Sequence, residues 1–238
     1  MKLPERIETT DVRAYEDLYT VMVNDECLLT PKGHAVVVRS WELANAIADD
    51  LVAEGTLDLQ RVTLYSLYAT QRDFIEGRVE STIGAIIEHL PGDFVLHPDA
   101  DPVLAAKQLT AWAPLVMFWR EVGLEVPMAK PLHEAQIPWQ LMEGLGGRLI
   151  AMTPAQLSVV LNAVMCFGSV SLGMLLAQQA IGVDQAVAAL TVTATHGASR
   201  ARGVGDDQEV FVTEMRQMVR RMLQYGRLSF ESGVSSFE

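Results

Sequence analysis

Apolar and polar residues alternate over the first forty positions in a way that predicts short β-hairpins. Two apolar runs, residues 19–29 and 35–39, are separated by the turn Thr30–Gly33. In that turn Pro31 fixes φ and Gly33 permits a positive φ. Asn24-Asp25 predicts a further turn inside the first run, so we expect two hairpin arms here.

A helix is predicted directly after these strands, over residues 41–54. Ser40 is a suitable N-cap and Gly55 a suitable stop. Apolar residues recur at helical spacing on one face, and the acidic residues fall on the other. The residues of the apolar face are Leu43, Ala44, Ile47, Leu51 and Val52.

The rest of the chain is predicted to be mainly helical. Residues 61–69 fit either a strand or the start of a helix, and residues 94–97 a short extended piece. Asp101 followed by proline predicts a helix start, and Pro114 predicts a kink in that helix. The predicted helices are residues 73–90, 101–119, 140–145 ended by Gly146-Gly147, 155–179, 184–195 and 207–225.

Residues 149–183 contain no charged side chain. The stretch is long enough to cross a bilayer. However, it contains Asn162, Ser169, Ser171 and three glycines, and no cluster of Lys or Arg flanks it. We therefore favour a buried central helix over residues 155–179, with a membrane span as the alternative.

Composition and charge restrict the function. The chain has 238 residues, of which 50% are hydrophobic, and its net charge is −12. This acidic balance argues against nucleic acid as a partner, since phosphate binding needs clustered Lys and Arg. Residues 1–100 have a net charge of −10 and residues 101–238 one of −2. The first eleven residues lack the apolar core of a secretory signal, so we expect a bacterial cytoplasmic protein, or a mitochondrial matrix protein if the source is eukaryotic.

Motifs for common chemistry are missing from the sequence. It has neither a phosphate-binding P-loop nor a G-x-S-x-G elbow. His133-Glu134 begins like a zinc-protease helix, but Ile137 stands where the second histidine is needed. A turn is the favoured interpretation of the segment from His97 to Asp99, rather than a metal site.

The cysteines, Cys27 and Cys166, are expected to be buried and unpaired. We predict no cofactor and no enzymatic activity, with an unrecognised small-molecule enzyme as the alternative.

Two groups of residues are candidates for partner binding. Trp112 lies close to Phe118 and Trp119 on a predicted helix, where core packing is the ordinary interpretation and an exposed anchor the alternative. A charged, glycine-containing loop follows at residues 197–205. Its charged residues and those after it either face solvent or contact a partner; they are Arg200, Arg202, Asp206 and Asp207.

The order of these landmarks resembles the ATP-twelve family, the assembly chaperones of the F-type ATP synthase catalytic head in mitochondria and alphaproteobacteria. The resemblance covers about residues 20–225 and depends on the ordered set rather than on one motif. The segments that carry it are the hairpin at 23–38, the helix start at 41–48, the Trp-containing helix at 108–115, the proline-spaced stretch 126–140 and the Ser-rich helix at 167–172.

The resemblance implies an α+β protein in which a small β-rich N-terminal domain, residues 1–100, precedes an all-helical C-terminal domain, residues 101–238. The proline-rich stretch 124–138 makes that boundary uncertain. The implied function is to bind an unassembled ATP synthase alpha subunit and to shield its interface until the beta subunit replaces the chaperone. A diverged paralogue with another protein client is the alternative.

The sequence departs from the family pattern in two places. Ala113 follows Trp112 where the family usually has Asp. The stretch 189–205 lacks the acidic cluster and the Trp-Gly pair of the family. The resemblance is therefore stronger evidence for the fold of this chain than for the identity of its client.

Overall fold

The computed structural model of this chain describes residues 6–124, 136–198 and 205–234. In these residues a small antiparallel sheet precedes a series of α-helices, and the predicted α+β fold is confirmed. The strands are β1 Thr10–Tyr15, β2 Leu18–Val23, β3 Glu26–Cys27 and β4 Val37–Val38. The helices are α1 Trp41–Glu54, α2 Leu64–Thr70, α3 Val79–Glu88, α4 Pro102–Ala111, α5 Ala113–Glu121, α6 Trp139–Ile150, α7 Pro154–Phe167, α8 Val170–Ala177, α9 Val183–Ala198 and α10 Gly205–Val234.

β2 is the centre of the sheet. β1 pairs with it along its whole length, while β3 and β4 pair with it on the opposite side. Both predicted turns are present: Asn24 and Asp25 have positive φ, and Gly33 (φ +84°) donates its N–H to the Thr30 carbonyl at 2.8 Å. β1 was not predicted, because four of its six residues are exposed and the pattern of a half-buried strand is weak there.

The first helix, α1, has the predicted bounds, but Val52, which was assigned to its apolar face, is 54% exposed. The Ser40 hydroxyl accepts the Leu43 N–H, and Gly55, at φ +70°, donates to the Leu51 carbonyl. These are the local signals of an N-cap and a left-handed C-cap. The helix packs against β1, β2 and β4 with its apolar face.

The predicted helix over residues 73–90 is wrong in its first part. Residues 71–75 form one π-helical turn, Gly77 takes φ +76°, and only then does α3 begin. The π turn contains Asp73, which accepts hydrogen bonds from Thr30 Oγ1 at 2.7 Å and from the Lys32 N–H at 2.9 Å. The hairpin turn is thus held against this segment, a long-range contact that a local pattern does not show.

Two further predictions are corrected. Residues 94–96 form a 3₁₀ turn rather than an extended piece. α6 does not end at Gly146-Gly147 but continues to Ile150, since Leu141, Leu145 and Leu149 are buried along one side of it. α6 packs on α3 there, and this burial outweighs the low helix propensity of glycine.

The uncharged stretch forms two helices, not one. Gly168, at φ +66°, ends α7, and Ser169 caps α8 by accepting the Leu172 N–H. α8 is buried along its full length and crosses α7 at Gly173, where an added Cβ would lie 3.0 Å from the Val160 backbone. Among the described residues, no helix has the length and apolar character to cross a membrane.

Buried apolar residues from the sheet and from helices on both sides of residue 100 belong to one hydrophobic cluster. The division into domains at about residue 100 stays a prediction, and most of the proline-rich stretch 124–138 lies outside the described residues. The expectation of buried cysteines is wrong, since Cys27 and Cys166 are both exposed; they are unpaired as expected.

Candidate functional site

A cleft of about 470 Å³ lies between the segment 92–97, α4 and α9. Its apolar lining comes from aromatic and aliphatic side chains, and its polar lining from one histidine, one glutamine and one threonine. The lining residues are Gly92, Phe94, His97, Gln108, Trp112, Phe167, Ala189, Leu190 and Thr193. Apolar surface with a few fixed polar groups is typical of a binding site.

Gln108 on α4 bonds both to α9 and to the loop that follows the segment 92–97. Its Oε1 accepts the Asp99 N–H at 2.7 Å, and its Nε2 donates to Thr193 Oγ1 at 3.0 Å. Gln108 is buried, whereas Thr193 is exposed at the surface of α9. The glutamine therefore fixes α9 against α4 and leaves the threonine accessible to a ligand.

Trp112 forms the floor of the cleft. Its Nε1–H donates to the Ala189 carbonyl at 3.0 Å, and its ring lies 5.3 Å from the ring of Phe94. Only 3% of Trp112 is exposed. The alternative interpretation, that Trp112 is an exposed anchor, is therefore wrong. This indole is a core side chain that supports the cleft from below.

The segment 92–97 is held in place by the buried carboxylate of Asp93. Ser169 Oγ donates to both carboxylate oxygens at 3.1 Å, and the Ser171 N–H donates to Oδ2 at 2.8 Å. The Val95 N–H also donates to Oδ1. Burial raises the pKa of Asp93, against the opposing effect of these hydrogen bonds. Asp93 thus connects the cleft wall to the start of α8.

Outside the lining of the cleft, ionisable side chains from the start of α4, from α4 itself and from α9 lie close together. Lys107 Nζ lies 3.1 Å from His196 Nδ1, and His196 Nε2 lies 3.9 Å from a carboxylate oxygen of Asp101. Asp101 also caps α4 by accepting the Val103 N–H, as its position before a proline predicts. His196 itself lies within the stretch 189–205, which the family resemblance matches to a functional segment.

The predicted partner-binding residues are placed only in part. Arg200 and Arg202 lie outside the described residues. Asp206 and Asp207 belong to the first turn of α10; the side chain of Asp207 is exposed, and its negative charge is favourable next to the helix N-terminus. Their role in binding stays a prediction.

Sequence reasoning did not identify Gln108, Thr193 or Asp93. Gln108 and Thr193 are 85 residues apart, and Asp93 and Ser169 are 76 apart. One usable signal was present: Asp93 is the only charged residue between Leu90 and Leu96. A lone acid in such an apolar run is often buried with donors around it.

Among the described residues that line the cleft, His97 is the one ionisable side chain, and its Nε2–H donates to the Pro91 carbonyl at 2.6 Å. In the described part of the chain, no three His, Cys, Asp or Glu side chains are grouped so as to hold a metal ion.

A second cleft, of about 410 Å³, lies between β4, α1, α7 and α10. Tyr68 and Tyr225 are in its lining. Burial raises the pKa of both phenols, so neither is suited to act as a base at neutral pH.

Comparison with solved structures places the fold in a known class. The structure of Atp12 from Paracoccus denitrificans matches with a TM-score of 0.73 and 17% identity, covering 95% of this chain and 98% of that one. Atu1473 from Agrobacterium tumefaciens, a proposed chaperone, matches with a TM-score of 0.72 and 20% identity, covering 97% of this chain and 86% of that one. At these identities the matches establish the fold.

A family model also matches the N-terminal part of the sequence. The model of the ATP12 chaperone protein family matches residues 6–120, and the resemblance seen in the sequence is thereby confirmed. A comparison with curated protein sequences gives no significant match. The chain is thus similar to the ATP12 chaperone family over residues 6–120 and has the Atp12 fold over nearly its full length, which together support a chaperone role.

Proposed function

We propose that this protein is an assembly chaperone that binds an unassembled ATP synthase alpha subunit. It covers the surface that the beta subunit later occupies, and it leaves when the beta subunit binds. The observation that carries this proposal is the match to Atp12 over nearly the whole of both chains, together with the family match over residues 6–120. An exposed apolar interface on an unassembled subunit promotes aggregation, and a protein that covers it prevents this.

The cleft between α4 and α9 is the part of the surface that best fits such a client. Phe94 and Leu190 offer apolar contact, and Thr193 offers an accessible hydroxyl beside them. A protruding apolar side chain of the client would be desolvated on the apolar floor, while the threonine would bond to the client backbone. Arg200, Arg202, Asp206 and Asp207 follow α9 in the chain and are proposed to add charged contacts next to this cleft.

Binding to the alpha subunit of the same organism is the direct test. The two proteins are co-expressed, and the fraction of alpha subunit that remains in the supernatant is measured with and without the chaperone. We expect the chaperone to raise that fraction, to co-purify with the subunit and to be released when the beta subunit is added. An alpha subunit that aggregates equally with and without the chaperone would contradict the proposal.

A substitution in the cleft tests whether the client binds there. Thr193→Arg places a long cation at the mouth of the cleft and is expected to weaken binding by about tenfold, because the client is excluded sterically. Thr213→Arg is the matched control, since Thr213 is also an exposed helical threonine but lies on α10. Equal binding by both variants would show that the cleft takes no part in client recognition.

A related protein with another client is the second candidate. The observation that favours it is the composition of residues 189–205, which lack the acidic cluster and the tryptophan of the family pattern. If the alpha subunit of the same organism does not bind, while one other protein co-purifies in a fixed ratio, this second function replaces the first. Neither function involves nucleotide turnover, so pure protein should show no ATPase activity above background.

A further inference from the structure

The two faces of the N-terminal sheet differ in what covers them. Val12, Val21 and Val38 belong to the inner face, which packs against α1. The strand register places the intervening residues on the outer face. Its cross-strand sets are Asp11 with Met22 and Cys27, Arg13 with Thr20 and Val37, and Tyr15 with Leu18.

Four apolar side chains of this outer face are accessible to solvent: Leu18, Met22 and Val37 adjoin the polar Thr20, and Tyr15 adjoins Leu18. We call these four residues the apolar centre. The side chain of Tyr15 is 61% exposed, and Leu18, Met22 and Val37 are partly exposed. Exposed apolar side chains that neighbour one another on a sheet are a common feature of protein-binding surfaces.

Negative charge surrounds that centre. Residues 10–27, which form β1, β2, β3 and their turns, contain five acidic residues and one arginine, a net charge of −4. Arg13 contacts two of the acids, Asp11 at 3.1 Å and Asp25 at 3.6 Å. Glu16 and Asp17, in the turn between β1 and β2, make no ion pair with any described residue. Glu16 has φ +53°, so this turn presents its acids in a fixed, tight geometry.

The free edge of β1 is less suited to binding than the face. Val21 directs its N–H and carbonyl toward Val36 and Leu28, so Val12, its partner in β1, directs its own N–H away from β2. The carboxylate of Asp11 accepts that N–H at 2.9 Å. An occupied donor at the edge hinders the addition of another strand.

We infer that the outer face of the sheet is a second contact surface for the client, and that it binds a region with an apolar centre and Lys or Arg side chains around it. The inference rests on the proposed function, because it concerns the same client. Acidic hairpins repel nucleic acid and anionic lipid, whereas they attract a basic protein surface and steer its approach. The apolar centre then supplies contact area once the charges are aligned.

The test measures the dissociation constant for the alpha subunit of the same organism at two salt concentrations. The double change Glu16→Lys and Asp17→Lys reverses the charge of the turn, and Tyr15→Ser removes the exposed ring. We expect each to weaken binding by about tenfold. The affinity of the wild-type protein should fall as salt rises, and that of the double variant should change less, because screening acts on the pairs that the variant lacks.

Matched controls separate this surface from general charge effects. Glu88→Lys with Glu214→Lys makes the same charge change at exposed positions on α3 and α10, and Met165→Ser removes an exposed apolar side chain on α7. These controls should bind as the wild type does. Equal losses in controls and sheet variants, or full affinity in the sheet variants, would overturn this inference alone.

Two other outcomes are informative. An alpha subunit that does not bind the wild-type protein would overturn both this inference and the proposed function. A wild-type dimer that becomes monomeric on Tyr15→Ser, measured by light scattering, would assign the face to a second copy of this chain and overturn the inference.

Discussion

Arg221 on α10 donates through Nε to Asp50 Oδ1 on α1 at 2.7 Å, across 171 residues of sequence. The same guanidinium bonds to Glu54 and to the Val62 carbonyl. The side chains of Arg221 and Glu54 are 7% and 5% exposed, so this ion-pair network is shielded from solvent. It links the last described helix to the first one.

The first prediction concerns this network. Arg221→Met should lower the free energy of unfolding by about 3 kcal/mol, because the largely buried Asp50 loses its cation and Glu54 keeps only its ion pair with Arg61. Arg216→Met on the same helix is the control, since the partner of Arg216, Asp184, is exposed and that substitution should change little. Urea unfolding followed by circular dichroism measures both, and equal effects would show that the network contributes no special stability.

The second prediction compares two glycines in helices. Gly173→Ala should destabilise the protein by about 1–3 kcal/mol, since its Cβ would approach the α7 backbone too closely. Gly84→Ala on α3 should stabilise it by about 0.5–1 kcal/mol, because that position is exposed and has open space around it. Thermal unfolding of the two variants should therefore move in opposite directions; shifts of the same sign would contradict the close contact between α7 and α8.

How far the sequence predicts the fold depends on where the determining contacts lie. Ser40 and Gly55 fix α1 through bonds within the helix, and the local pattern predicts this helix correctly. The break in the uncharged stretch lies at Gly168 and Ser169, which cap α7 and α8 and could have been identified locally, but the apolar composition suggested one helix. Local glycines predicted an early end for α6, yet burial against α3 extends it.

The candidate site, too, could be predicted from the sequence only in part. Trp112 and the stretch from residue 189 were identified as separate features, and the structure joins them through the bond from the indole to Ala189. The pairing of Gln108 with Thr193 could not be predicted, because neither residue type is distinctive and only the packing of α4 on α9 brings them together.

The third prediction concerns pH. The pKa of Asp93 is raised in the folded state above its ordinary value of 3.8, so the folded protein holds this proton more tightly than the unfolded chain. The stabilising contribution of Asp93 is therefore complete below pH 3.8 and is lost as the pH rises through its folded pKa. Asp93→Asn removes this titration.

The measurement for Asp93 is the difference in unfolding free energy between wild type and Asp93→Asn across a pH series. We expect the wild type to lose stability relative to the variant as the pH rises from about 4 toward 7. A difference that stays constant over that range would mean that Asp93 titrates alike in the folded and unfolded states.

The fourth prediction tests burial in α8. Leu172→Asp should destabilise the protein by more than about 3 kcal/mol, because Leu172 is fully buried and the new carboxylate would have no cation beside it. Met165→Asp is the control, since Met165 on α7 is 68% exposed. A melting temperature of Leu172→Asp close to that of Met165→Asp would show that α8 is not the centre of the helical region.

The fifth prediction returns to Arg200 and Arg202, which lie between α9 and α10 in the chain. The stretch that contains them carries arginines where the family pattern tends to be acidic, so a matching client surface must itself be acidic. The double change Arg200→Glu and Arg202→Glu should weaken association with the client and make it less dependent on salt, because opposite charges that steer the encounter become like charges. Arg148→Glu with Arg227→Glu makes the same change in net charge at exposed positions on α6 and α10 and should leave binding unaltered. Pull-down at two salt concentrations measures both double variants, and equal retention of the client would identify the stretch as a connection between helices with no part in recognition.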